Sequence, residues 1–224
     1  MSNWKKAYRS FYYENAADPE DIVLKSEDTA LLVVDIQNTY LEKPSDPLEL
    51  ERWTPFFQRM DSIVIPNTAE LVNWARNSKV EVIFARIACL KNDGRDRSLS
   101  QKKPGFNYLL LPKNDKDSQI IEELSPRNDE ITILKTTDSA LTGTNLRIIL
   151  HNMGIKNVIT TGIFTDQCIS STVRSLADES FNVLVVDDCC AAATDELHKN
   201  ELKIINMIYC HVVSKEDIKG MMET

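Results

Sequence analysis

The sequence predicts an α/β domain built around a parallel sheet. Three observations predict it. Short apolar runs rich in β-branched residues recur along the 224-residue chain, most are continuous rather than alternating, and helix-patterned segments separate them. Continuous apolar runs mark strands covered on both faces, and strands that alternate with helices favour parallel pairing through right-handed crossovers.

Taken in order, the first strand spans 30–35 and runs through ALLVV into Asp35. The stretch 41–57 carries Pro44, Pro47, Pro55 and Trp53 and reads as a long loop. Pro66 then opens a helix over 67–78, followed by a strand over 80–86 that ends at Arg86. Residues 89–118 form a second long stretch outside the alternation, of the kind that serves as a lid, binding loop or subunit contact. A strand over 130–135 ends at Lys135, and the helix after it, 145–153, has Gly143 or Thr144 as its cap and Gly154 as its stop. The run 157–162 is the fourth strand. The helix predicted over 168–180 shows a stripe of Ile169, Val173, Leu176 and Ala177. A strand over 182–187, a helix over 195–209 with Leu197, Leu202, Ile205 and Ile208 on one side, and a last strand over 211–213 complete the pattern. The aromatic-rich residues 4–13 are expected to lie across a neighbour or a pocket mouth.

Composition narrows the function. Hydrophobic content of 42% and charged content of 27% are those of an ordinary globular chain. A net charge of −8 argues against nucleic acid or an anionic membrane as partner, while leaving room for a small anion in a local pocket. The five cysteines are odd in number and lack a framework spacing, and no apolar leader or membrane span is visible, so a reduced, cytoplasmic protein is expected. The three histidines, His151, His198 and His211, have no metal-ligand spacing and no CxxC accompanies them. No metal and no other cofactor is expected.

Ligands of open parallel sheets bind beyond the carboxyl ends of the strands. Three reactive side chains fall at such ends: Asp35 after the first strand, Lys135 after the third, and Cys168 a short turn after the fourth. A thiol at a helix N-terminus is expected to ionise readily, because unpaired backbone N–H groups and the helix dipole favour the thiolate. Asp35 would take the thiol proton, Lys135 would steady both groups, and the sulfur would attack a carbonyl carbon to form an acyl-enzyme. Backbone N–H groups of Phe164 and Cys168 would form the oxyanion hole. Gln37, Asn38 and Tyr40 follow the base and are candidates to face the substrate. Arg86 is a candidate to hold a carboxylate or ureido oxygen. Phe106, Asn107 and Tyr108 would close over the ligand, and Arg95, Arg97, Lys102 and Lys103 make their loop basic. Ser139 and Thr144 are better explained as turn and cap residues.

The segments LLVVDIQNTY, ILKTTDSALTGTNL and VITTGIFTDQCISSTVRSLADESFNVLVVDDCCAA resemble, in order and spacing, the three signature regions of the isochorismatase-like cysteine hydrolases. The likeness covers about 29–213. It implies a three-layer α/β/α fold with a six-stranded parallel sheet in order 3-2-1-4-5-6, an N-terminal extension over 1–28 and a hydrolase domain over 29–224. It also implies an Asp35–Lys135–Cys168 triad, a cis bond at Ile163–Phe164, and homo-oligomers. Retention of Cys168 tilts the reading toward hydrolysis of a C–N bond in a small amide or ureido compound with release of ammonia. Nicotinamidases of this family use a histidine-containing metal motif after the first strand, and 38–57 has no histidine. Two alternatives remain at this point: a vinyl-ether hydrolase of the isochorismatase kind, and a non-catalytic oligomerisation module.

Overall fold

The apolar runs become six strands of one sheet. The computed structural model describes residues 3–104 and 109–223. The strands are β1 (Thr29–Val34), β2 (Glu81–Ile87), β3 (Ile131–Lys135), β4 (Asn157–Ile163), β5 (Asn182–Ala191) and β6 (His211–Val213), all parallel, in the order 3-2-1-4-5-6. The helices in chain order are α1 (Asn38–Leu41), α2 (Pro47–Arg59), α3 (Ile65–Asn77), α4 (Leu146–Asn152), α5 (Ser170–Asp178), α6 (Asp195–Ile205) and α7 (Lys215–Met221).

Side-chain alternation along β1 builds the three layers. Leu31 and Val33 pack with Phe56, Leu71, Val72 and Ile218 on the face covered by α2, α3 and α7. Ala30, Leu32 and Val34 pack with Leu146, Val173 and Leu202 on the face covered by α4, α5 and α6. Every β1 residue is buried, which is why the strand reads as a continuous apolar run.

Three predicted elements change. The stretch 41–57 is not a loop throughout. Asp46 caps α2 by accepting from the N–H groups of Leu48 and Glu49, and Pro47 occupies the first turn, where its missing N–H costs nothing. A π-helical turn over Met60–Val64 then joins α2 to α3, with Pro66 in the first turn of α3. Strand β5 runs past Asp187 to Ala191, because Asp187 and Asp188 find partners there: Tyr8 Oη donates to Asp187, and the Lys215 N–H donates to Asp188. Helix α6 stops at Ile205 because Asn206 is extended, its side chain spanning from the Val212 N–H to the carbonyls of Ala7 and Tyr8. That same contact places the N-terminal segment. It lies against α6, β5 and β6, with Trp4 edge-on to His211, and not over a reactive pocket.

Strands β1 and β4 approach so closely at Gly162 that a side chain has no room. Gly162 has φ +122°, and an added Cβ would lie 2.0 Å from the Val34 carbonyl oxygen. Gly162→Ala is therefore expected to lower unfolding free energy by about 3 kcal/mol or more, from backbone strain and overpacking together. Chemical denaturation checks this; an unchanged midpoint would show that the strands can part at this point.

Candidate active site

The parallel register carries the ends of β1, β2 and β3 to one edge, with Val34 opposite Ala85 and Ile87 opposite Lys135. At that edge Asp35 leaves β1 with φ 55°, a left-handed conformation that aspartate tolerates better than bulky residues. Its Oδ1 accepts the Ile87 N–H at 2.9 Å. Lys135 reaches past the end of β2, and its Nζ stands 2.6 Å from Asp35 Oδ2, both side chains sealed from solvent. The contact is a close, buried ion pair. Lys135 Nζ also donates to the Thr137 carbonyl at 3.2 Å and to Cys168 Sγ at 3.3 Å. Cys168 sits on a π-helical turn, Thr165–Ile169, between β4 and α5. The Ile163–Phe164 bond before this turn is cis, as the resemblance implied.

One ammonium therefore touches both a carboxylate and a sulfur. Burial raises the Asp35 carboxyl above its ordinary range, outweighing the opposing pull of Lys135, Cys168 and the Ile87 N–H. Burial opposes the charge on Lys135, but Asp35 and Cys168 outweigh it and hold the amine protonated. Burial, with the adjacent Asp35 charge, pushes the Cys168 thiol well above the usual cysteine range. Desolvation beside a carboxylate thus works against the thiolate that the helix terminus and Lys135 favour.

Asp35 and Cys168 open into a cavity of about 410 Å³. Its apolar wall is aromatic. Phe164 meets Tyr40 edge-on at 5.5 Å and lies 6.1 Å from Trp53, and Ile87, Ile163 and Leu109 complete that side. Its polar lining is Arg97, Gln101, Asp138 and Gln167. Two larger hollows, of about 500 and 600 Å³, lie by the N-terminal segment and include none of Asp35, Lys135 or Cys168.

Of the residues expected to face a substrate, Tyr40 lines this cavity and Gln37, Asn38 and Arg86 do not. Gln37 is buried, and its amide donates to the carbonyls of Ile87 and Ser118. Asn38 donates to the Lys116 carbonyl. Arg86 precedes Ile87 on β2 and so projects to the opposite face, where its guanidinium holds Ser118 and the Lys113 carbonyl. All three secure the loop before β3. Phe106, Asn107 and Tyr108 lie outside the described residues. Ser139 and Thr144 act in turns, with Thr144 Oγ1 accepting from the Leu146 N–H.

Sequence reasoning missed Trp53, Gln101, Asp138 and Gln167; of the four basic residues it noted in this loop, Arg97 is the one that lines the cavity. Asp138 follows Lys135 by three residues in KTTD, close enough to have been considered; its Oδ1 lies 3.8 Å from Cys168 Sγ. Behind the Cys168 turn, Thr165 Oγ1 is 2.7 Å from His198 Nδ1, and His198 Nε2 is 2.8 Å from Asp187. Arg59 and Tyr8 also bind Asp187, so the turn rests on a polar cluster rather than on apolar packing alone. Among the described residues no three His, Cys, Asp or Glu side chains gather to hold a metal ion. Among the same residues no helix is long and apolar enough to cross a membrane.

The profile of the isochorismatase domain family matches residues 29–217. Ureidoacrylate amidohydrolase RutB of Acinetobacter baylyi is 31% identical over 207 residues, which cover 86% of this chain and 83% of the relative. The protein of the same name from Pantoea ananatis is 32% identical over 186 residues, covering 77% of this chain and 73% of the relative. Among solved structures, a cysteine hydrolase from Pseudomonas syringae pv. phaseolicola superposes with a TM-score of 0.75 at 21% identity, covering 90% of this chain and 97% of the other.

Five buried cysteines in one protein allow a direct comparison of thiols. Cys168 faces the cavity, whereas Cys89, Cys189 and Cys190 lie in the core, with Cys190 pushed up to about 12 by burial. Iodoacetamide is expected to alkylate Cys168 first. Its rate should rise about tenfold per pH unit between pH 6 and 9, because a raised thiol supplies thiolate in proportion to hydroxide. Peptide mapping of timed samples checks both points; a flat pH profile would indicate a preformed thiolate.

Proposed function

The chain belongs to the isochorismatase family, and from that membership we propose that it is a cysteine amidohydrolase that opens a C–N bond in a small ureido or amide compound and releases ammonia. The observation that carries this reading is the single ammonium of Lys135 in contact with Asp35 at 2.6 Å and Cys168 at 3.3 Å, beside an open cavity. The ureido class is favoured by the relatives whose names specify ureidoacrylate amidohydrolase. An open cavity beside a reactive thiol argues against a purely structural role for the domain.

The chemistry proceeds in two halves. Asp35 takes the Cys168 proton as sulfur attacks the carbonyl carbon, forming the C–S bond and moving the carbonyl π pair onto oxygen. The N–H groups of Phe164 and Cys168 receive that oxyanion. When the oxyanion collapses, the C–N bond breaks and the leaving nitrogen takes the proton from Asp35, departing as ammonia. Water then attacks the thioester and gives a proton to Asp35, which returns it to sulfur as the acid is released. Throughout, Lys135 stays protonated. The negative charge moves from carboxylate to sulfur or oxygen within reach of one fixed cation, which a water-poor site stabilises more than solvent does.

Two outcomes are expected from steady-state assays. Ammonia is released from members of a panel of ureido acids and primary amides, and Cys168→Ala abolishes it. Because burial raises Asp35, kcat/KM falls about tenfold per pH unit on an acidic limb whose midpoint lies above the usual carboxylate range, the base being lost as it gains a proton. Undiminished turnover by Cys168→Ala, or silence across the panel alongside hydrolysis of a vinyl ether, would contradict the proposal.

A further inference from the structure

We infer that Arg97 is the specificity-determining residue of this site and anchors the anionic end, a carboxylate, of the substrate whose carbonyl lies over Cys168. The inference rests on the hydrolase reading above and adds the charge and polarity of the substrate to it.

Arg97 lies on the loop between β2 and β3, yet it is only 5% exposed and lines the same cavity as Asp35 and Cys168. Its bonding is incomplete. One amino group donates to the Gln101 side-chain oxygen, a neutral acceptor, while Nε is buried without a partner among the described residues. Among the described residues no carboxylate forms an ion pair with it. A guanidinium carries five N–H donors and stays charged, so burying it without an anion is costly. Several other basic groups of this region are committed elsewhere. Arg86 holds loop carbonyls, Arg95 is exposed beside Asp93, Lys102 donates to the Arg95 carbonyl, and Lys135 is held by Asp35 and Cys168.

Gln101 explains why Arg97 remains available. Its amide oxygen faces Arg97 and its amide nitrogen donates to Asp138 Oδ1, so a neutral side chain is interposed between the cation and Asp138. Asp138 Oδ1 is in turn 3.8 Å from Cys168 Sγ. A polar line therefore runs from the sulfur through Asp138 and Gln101 to Arg97, facing the aromatic wall of Phe164, Tyr40 and Trp53. A ligand that satisfies both ends carries its electrophilic carbon and its anion at opposite ends of a short chain, with the chain against the rings. A carboxylate matches the planar fork of Arg97.

The test compares 3-ureidopropionate with a neutral counterpart that lacks the carboxylate and carries no second amide, N-propylurea, by the ratio of their kcat/KM values. Arg97→Met is expected to lower this ratio about 100-fold, mainly through KM for the acid, as loss of a binding contact requires. Arg97→Lys keeps the charge but loses the fork and is expected to lower it about tenfold; it also serves if the Met variant does not fold. An unchanged ratio in both variants would overturn the inference. If the unaltered enzyme hydrolyses neither compound, the hydrolase reading fails for them, and Arg97 is then tested alone. Calorimetric binding of 3-ureidopropionate to Cys168→Ala protein should weaken at least tenfold on adding Arg97→Met; equal binding, or none to either protein, would overturn the inference.

Discussion

The buried contact between Asp35 and Lys135 is the interaction on which the rest of the site depends. Taking both charges out of water costs several kcal/mol per ion, and their attraction offsets this only with good geometry and further hydrogen bonds. Those supports are present. The Ile87 N–H holds one oxygen of Asp35, and the Thr137 carbonyl and Cys168 sulfur hold Lys135. Because Ile87 ends β2, the pair also ties the ends of three neighbouring strands together. Its chemical value is that one cation faces two groups able to carry a single negative charge. A proton passing from sulfur to carboxylate leaves the net charge of the buried cluster unchanged.

The cluster needs a rigid frame, and the frame is supplied by backbone and by a second polar network. Asp35 leaves its strand through a left-handed turn, and Gly162 lets β4 approach the Val34 backbone where no side chain fits. On the far side of the Cys168 turn, Thr165 leans on His198, which leans on Asp187, itself bound by Arg59 and Tyr8. Segments distant in sequence, including the N-terminal one, thus bear on the position of the thiol. Two other cysteines show what burial does away from the site. Cys189 and Cys190 sit in the core, their thiols pushed up mainly by desolvation.

Much of the sheet was legible because parallel strands buried on both faces leave unmistakable apolar runs. Helix α2 was not, since prolines were read as breakers when one of them occupies the first turn, behind an Asp46 cap. The end of β5 was misread for a similar reason: Asp187 looks like a strand terminator until its partners across the fold are known. The positions of Asp35, Lys135 and Cys168 at strand ends could be read because topology fixes where strand ends go. Substrate-facing residues are a different problem. Arg86 and Ile87 are adjacent in sequence but face opposite sides of the sheet, and Gln37 is consumed by main-chain carbonyls. Arg97 and Gln101 belong to a loop whose path follows from tertiary contacts, such as the Ser98 N–H donating to the Thr136 carbonyl, that no local pattern announces.

The most direct test of nucleophilic catalysis by Cys168 is intact-protein and peptide mass spectrometry on enzyme quenched with acid within the first turnover of a hydrolysable substrate. The account predicts an added mass equal to the acyl fragment without ammonia, confined to the peptide containing Cys168 and absent from Cys168→Ala. Turnover by the unaltered enzyme with no adduct at any quench time, together with activity retained by Cys168→Ala, would contradict it.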